Sequence, residues 1–185
     1  MRIAVTGGIA CGKSRFAEAL RRCGAETLDA DDIVHSLVPE EERRRLAAVA
    51  FSDPAVRAAL EARLHPLVAA RFDEWFGEAG RRAAPSRHRI AVIPLLFEAH
   101  WEGKYDIICA VVCPREMQIE RMMLRRGLSR REAEDRLAAQ MPVDEKAGKS
   151  HYVIRNDGSP EELERKAAEF VSWLDDMKDK ETKER

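Results

Sequence analysis

The sequence predicts an α/β fold in which a central parallel sheet of about five strands lies between layers of helices. Three observations predict it. Ile3-Ala4-Val5, Arg89-Ile90-Ala91-Val92-Ile93 and Ile107 to Cys113 are short, near-continuous apolar runs of the kind buried on both faces of a parallel sheet. Segments of helical period alternate with these runs. Between the first strand and the first helix, Gly7-Gly8-Ile9-Ala10-Cys11-Gly12-Lys13-Ser14 fits the phosphate-loop pattern G-x-x-x-x-G-K-[ST].

In chain order, residues 2–6 read as a strand, and Ser14 to Cys23 as a helix with Phe16, Ala17 and Leu20 on one side and Gly24 at its C-terminal end. Glu26-Thr27-Leu28 reads as a second strand, running through Asp29-Ala30-Asp31-Asp32 into a helix from Ile33 to Val38. Pro39 to Gly80 is helical in pattern. It breaks at Phe51-Ser52-Asp53-Pro54, where Ser52 or Asp53 can cap and Pro54 can open the next helix. His65-Pro66 interrupts that helix, because an internal proline removes one hydrogen bond and clashes with the preceding turn. The kink is expected to tip His65 off the helix face. After the connector 80–88 come the strands ending at Pro94 and Cys113, a helix opened by Pro114, helices over 131–140 and 144–146, and a strand from His151 to Arg155. Pro160 opens a closing helix with a Leu163, Ala167, Phe170, Val171, Leu174 stripe. The tail 178–185 is polar throughout and is expected to fray. The core is thus expected over 1–38, 88–114 and 147–177, with a helical subdomain over 39–87 and a further region over 115–146.

Composition narrows the function classes. The 185 residues carry 32 basic and 33 acidic side chains and are 45% hydrophobic, so the chain is near neutral, and its charge points to no nucleic acid partner. No apolar run approaches the ~18 residues of a membrane span, and the N-terminus enters a strand rather than a leader. A cytoplasmic protein without membrane partners is expected. Cys11, Cys23, Cys109 and Cys113 have no zinc-type spacing and read as reduced thiols, with Cys11 and Cys23 far in sequence from the other two. Cys11, in an electropositive loop at a helix start, is expected to have a lowered pKa and to be open to alkylation.

The loop carries the strongest chemical signal. Its glycines let successive N–H groups turn inward on phosphate oxygens, and the following helix adds its positive end. Lys13 supplies a point charge, and the Ser14 hydroxyl is a ligand for Mg²⁺. The three acids at the end of the second strand stand where open α/β sheets place their sites. One is expected to be a helix cap, and at least one to do chemistry. From Arg115 to Arg136 there are seven arginines and no lysine. They read as a lid of planar groups that cover phosphates, in preference to a solvated face interleaved with glutamates.

Taken together, these motifs resemble the dephospho-CoA kinase family over residues 3 to about 174. The resemblance rests on Thr6-Gly7-Gly8-Ile9 leading into Gly12-Lys13-Ser14, Asp29-Ala30-Asp31, Leu60-Glu61 with Leu64-His65-Pro66, and Pro94-Leu95-Leu96-Phe97-Glu98. Gln118 to Arg121, Arg136 to Gln140, and Val153-Ile154 with Asn156 continue it. It implies a three-layer P-loop kinase fold with a helical substrate-binding subdomain and an arginine-rich lid over 115–146. It also implies ATP-dependent phosphorylation of the ribose 3′-hydroxyl of dephospho-CoA, with ATP and Mg²⁺ as co-substrate and cofactor, by a monomer or weak homo-oligomer. Matched residue by residue, it places ATP on Gly8, Ile9, Ala10, Cys11, Gly12, Lys13, Ser14, Arg15, Arg125 and Asn156. The acceptor falls to Asp31, His65, Leu95 and Glu98. Catalysis falls to Asp31, Lys13, Asp29 and Arg121, and metal binding to Ser14 with Asp29 as a further candidate.

The chain departs from the family pattern at several places. Ala10 and Cys11 replace the usual glycine and serine, Arg15 a threonine, and His151 an aspartate. Ala10 is expected to need a negative φ, and the segment between Val38 and Arg45 is shorter than usual. A kinase for another small acceptor, and a nucleotide-binding switch module, stay open at this point. The chain has no Asn-Lys-x-Asp guanine signature.

Overall fold

A computed structural model describes residues 1–41, 54–78 and 88–183. The caps expected at Ser52 and Asp53, the connector 80–87, and residues 42–45 of the shortened segment lie outside the described residues. The chain forms two compact units, Met1–Thr27 with Ser86–Arg185, and Leu28–Pro85.

The first unit is built on a five-stranded sheet of order β2-β3-β1-β4-β5. Its strands are β1 (Ile3–Gly7), β2 (Glu26–Asp29), β3 (Arg89–Val92), β4 (Ile107–Val112) and β5 (Tyr152–Arg155). β1 pairs in parallel with β3 and β4, and β4 with β5, with Val5 opposite Val92 and Cys109. Every residue of β1, β3 and β4 is buried, as their largely apolar runs favour, with Arg89 at the start of β3 paired to Glu26 at 3.0 Å. Because β1 lies between β3 and β4, the loop that leaves its C-terminal end sits where the strand order turns back on itself.

Successive side chains of a strand point to opposite faces, so β1 serves two layers. Ile3 and Val5 join Phe16 and Leu20 of α1 (Lys13–Arg22) and Leu163, Phe170 and Leu174 of α7 (Pro160–Lys183) in one continuous core. Phe170 lies 6.0 Å from Phe16 and 4.9 Å from Tyr152 between ring centroids. Full burial of such a side chain contributes about 1.5–3 kcal/mol. α1 closes with a Schellman turn, in which Gly24 N–H donates to Arg21 O and Ala25 N–H to Leu20 O. α6 (Val143–Gly148) packs against β1 and β4, and α4 (Arg115–Arg126) packs on α5 (Arg130–Ala138). α5 opens with a capping box between Ser129 and Glu132.

The second unit contains α2 (Ala30–Leu37) and α3 (Pro54–Gly77), which pack together. This packing draws α2 into the second unit, so the division falls at residue 28, ahead of the one expected at 39.

Two expectations are corrected. α3 runs through Pro66 without the expected interruption, and His65 lies within it. Pro66 is exposed and α3 buries Leu64, Val68 and Phe72. That apolar stripe outweighs the loss of one backbone hydrogen bond. The tail does not fray at 178 but continues α7 to Lys183, since Lys, Glu and Asp extend an exposed helix at little cost per residue.

Candidate functional site

The turn from β1 into α1 is shaped by close backbone approaches. Gly7 has φ 144° and a Cβ there would lie 2.1 Å from Val111 O. Gly12, the residue before α1, has φ 94° and a Cβ there would meet Asn156 Nδ2 at 2.2 Å. Both positions therefore demand glycine, for space as well as conformation. Ala10 also adopts a positive φ, 59°, against the expected negative value. The loop's curvature imposes it at a cost of roughly 1–2 kcal/mol, and the carbonyl it presents accepts from Arg121 Nη1 at 3.3 Å.

Three side chains from distant segments brace this loop through its carbonyls. Gln118 Nε2 donates to Ile9 O at 2.7 Å, Asn156 Nδ2 to Cys11 O at 2.8 Å, and Arg121 to Ala10 O and, at 3.0 Å, to Asn156 O. Gln118 and Asn156 are buried, so each donor is satisfied by the loop instead of by water. With the carbonyls of Ile9, Ala10 and Cys11 held by these donors, the loop backbone is fixed in the curve that a phosphate nest requires. Lys13 Nζ donates to Gly7 O and Gly8 O at 3.0 and 2.9 Å, which holds its ammonium across the loop. No side chain caps α1 and no acid stands in its first turn, so its positive end is not neutralised there.

A cleft beside the loop is lined by Gly12, Arg15, Arg121, Arg125 and Asn156. A larger cavity of about 340 Å³ on another side is lined by Gly8, Ile9, Arg115, Gln118, Met141 and Asp144, among others. The first unit thus brings together Gly8 to Arg15, Arg121, Arg125 and Asn156. The arginine segment is not uniform, however. Arg130 pairs with Glu116 at 2.8 Å and Glu134 at 3.2 Å on an exposed face, with Arg115 3.9 Å from the same two acids. These are solvated pairs of small individual value. Arg121 and Arg125 are the ones that reach the loop's cleft.

Glu98 and Leu95 lie in the turn after β3. Glu98 Oε1 accepts from Lys146 Nζ at 2.8 Å and from Met141 N–H at 3.0 Å. Lys146 is fully buried and also donates to Pro94 O at 2.8 Å. The pair ties the end of β3 to α6 and fixes Met141 in the cavity wall. Lys146 carries no signal in the sequence, because one lysine in a short polar helix reads as solvated. Gln118 stood out only as part of the family resemblance.

In the second unit, Asp29 is the helix cap. Its Oδ1 accepts from Asp31 N–H at 2.9 Å, and Asp31 and Asp32 occupy the first turn of α2. The helix therefore starts at Ala30, ahead of the expected Ile33, because a carboxylate cap satisfies its first donors. His65 lies in α3 of the same unit.

All four cysteines are free thiols, as expected. Cys11, distant from Cys113 in sequence, meets it in space, with the sulfurs 3.4 Å apart. The hydrogen bond from Cys113 and the nearby Lys13 charge lower the Cys11 pKa to about 7 against the cost of burial. Cys11 is nevertheless fully buried, so the expected opening to alkylating reagents is corrected: the loop folds over its own sulfur.

Comparison with known proteins agrees with this geometry. The family described as dephospho-CoA kinase matches residues 1–43 and 40–162. A dephospho-CoA kinase of Anaeromyxobacter dehalogenans is 41% identical over 93% of this chain and 91% of its own. A crystal structure of a Thermus thermophilus protein superposes with a TM-score of 0.75 at 38% identity, covering 94% of this chain and 97% of that one. The dephospho-CoA kinase of Campylobacter jejuni shares the fold, with a TM-score of 0.68 at 24% identity over 94% and 96%. With a family match over most of its length and a phosphate loop braced from three directions, this chain belongs to the dephospho-CoA kinase family.

Proposed function

We propose that the chain transfers the terminal phosphoryl group of ATP to the ribose 3′-hydroxyl of dephospho-CoA, giving coenzyme A and ADP. The observation that carries this reading is the braced loop, with Lys13 held across it, in a chain of this family. Phosphoryl transfer depends on positioning and on charge neutralisation more than on covalent chemistry. The loop N–H groups and the uncapped end of α1 would accept the phosphates. Lys13 would exchange its carbonyl partners for phosphate oxygens, and Arg121 and Arg125 would add charge from the side. Arg15 and Asn156 border the same cleft on the nucleotide side.

The exposed Ser14 hydroxyl is a hard oxygen donor in the first turn of α1, which suits Mg²⁺ arriving with ATP, and Asp29 is a further donor of the same kind. Bound there, the ion would neutralise charge on the phosphate oxygens. Asp31 would accept the proton of the ribose hydroxyl, and His65, Leu95 and Glu98 would contact the acceptor. Glu98 would do so while anchored to Lys146. Among the described residues no helix is long and apolar enough to cross a membrane. We place the protein in the cytoplasm, as a monomer or weak homo-oligomer acting on small molecules and not on nucleic acid.

An acceptor screen tests the reading. Purified protein with Mg-ATP should release ADP on addition of dephospho-CoA and not of nucleosides, nucleoside monophosphates or shikimate. Release with one of those and not with dephospho-CoA would make the chain a kinase of another acceptor. ATP binding without acceptor-dependent release would favour a switch.

A further inference from the structure

We propose that Cys11 of the phosphate loop and Cys113 at the end of β4 form a dithiol that hydrogen peroxide closes to a disulfide, displacing the loop and stopping phosphoryl transfer. The two sulfurs lie 3.4 Å apart with the Cys113 thiol donating to Cys11. Cys11 is 0% exposed and Cys113 5% exposed, so a small neutral peroxide suits the pair better than a bulky disulfide. A Cβ at Gly8 would fall 2.9 Å from Cys11 Sγ, which places the sulfur directly under the loop backbone.

The two thiols are electronically unequal. Hydrogen bonding from Cys113 holds the Cys11 pKa down at about 7, while that same bond and burial push the Cys113 thiol up, with Arg121 opposing. Cys11 is thus the nucleophile and Cys113 the resolving thiol. The Cys11 thiolate attacks one peroxide oxygen. An S–O bond forms, the O–O bond breaks, and the hydroxide released leaves as water. Cys113 sulfur then attacks the sulfenic sulfur. The S–S bond forms, the S–O bond breaks, and its hydroxide departs as water with the Cys113 proton. In balance, two thiols and one hydrogen peroxide give one disulfide and two waters.

Closing to a bond of ~2.05 Å draws the sulfurs about 1.4 Å nearer. Cys11 is the residue before Gly12, its amide donates to Gly8 O at 3.2 Å, and its carbonyl accepts from Asn156. Movement of that residue therefore shifts the bracing of the phosphate nest. Misplacement on the 1 Å scale costs ~10²-fold in a positioned transfer.

The test treats the full chain with hydrogen peroxide, maps its peptides without reduction, and measures ADP release with ATP and dephospho-CoA before and after dithiothreitol. A peptide pair joined through Cys11 and Cys113, lighter by two hydrogens than its reduced parts, should accumulate in step with the loss of turnover. Turnover of the cross-linked fraction should be down ~10²-fold, and reductant should restore it. Cys113→Ala should give no linked pair and instead carry added oxygen on the Cys11 peptide, and Cys109→Ala should behave as the unaltered chain. If Cys113→Ala does not fold, peptide mapping of the unaltered chain still decides. Absence of the linked pair at peroxide doses that oxidise the half-buried Cys23 overturns the proposal. So does a cross-linked protein that turns over as fast as the reduced one, or inactivation without the link. The link is read by mass, so it forms or fails independently of which acceptor the enzyme uses. If dephospho-CoA is not the acceptor, the reduced protein itself shows no turnover with it.

Discussion

The helices that follow β1 and β2 begin in opposite ways. α1 starts at Lys13 with no side-chain cap and no acid in its first turn, whereas α2 is capped by the Asp29 carboxylate and carries Asp31 and Asp32 in its first turn. A helix N-terminus is stabilised by carboxylates, so α2 follows what stability favours and α1 departs from it. The departure leaves α1 about 1 kcal/mol short of an available cap and preserves its donors for an anion. The lesson is that a missing stabiliser is as informative as a present one. The start of α1 is arranged for phosphate, while that of α2 combines a cap with acids in excess of what a cap needs.

The comparison is broken most sharply at α2. Asn caps as well as Asp, so Asp29→Asn and Asp31→Asn preserve the helix while removing charge and basicity. Asp31→Asn should lower kcat by ~10²–10⁴-fold with ATP affinity retained, the scale of a lost general base. Asp29→Asn should change kcat less. If Asp29→Asn gives the larger drop, the two roles exchange. If both are silent, the start of α2 is a cap only, which steady-state kinetics with dephospho-CoA would reveal.

At α1, Lys13→Ala should lower kcat by ~10²–10³-fold with a far smaller effect on the thermal midpoint, because Lys13 Nζ donates to Gly7 O and Gly8 O of the loop, carbonyls that water can serve in its place. Lys146 supplies the contrast. Lys146→Met strands the Glu98 carboxylate and the Pro94 carbonyl, and should cost roughly 2–3 kcal/mol, discounted from a fully buried pair because Glu98 is a quarter exposed. Urea titration and turnover measured on both variants should therefore separate a lysine that acts on ligand from one that holds structure. Loss of stability in Lys13→Ala, with turnover retained, would assign it to the scaffold.

The smallest expected effect concerns the loop itself. Ala10→Gly relieves a left-handed alanine, and net of the greater freedom of glycine in the unfolded chain it should stabilise the protein by up to ~1 kcal/mol. A lower denaturation midpoint would mean that the packing of the Ala10 methyl beside Ile119, Met122 and Ala133 outweighs the strain.

Much of this protein was determined by local sequence. The buried runs of β1, β3 and β4, the phosphate loop and the helix stop at Gly24 follow from neighbours a few residues apart, because hydrophobic period, turn chemistry and a loop's glycines are local properties. Only tertiary structure decided the rest. Asn156 and Gln118 become braces of the loop because β4 runs beside β1, which brings residues more than a hundred positions away onto carbonyls 9 to 11. Lys146 reads as solvated until α6 packs on β1 and β4, when burial makes Glu98 obligatory. Pro66 reads as a break until Leu64, Val68 and Phe72 hold α3 in one piece. The arginines divide between solvent and loop: Arg130 of α5 pairs with Glu116 and Glu134 on an exposed face, while Arg121 and Arg125 of α4 line the cleft beside the loop. Cys11 and Cys113 show no relation along the chain, and the parallel pairing of β1 with β4, which they follow, brings the segments that carry the sulfurs together, because sheet register joins segments by hydrogen bonding across space and not by spacing in sequence.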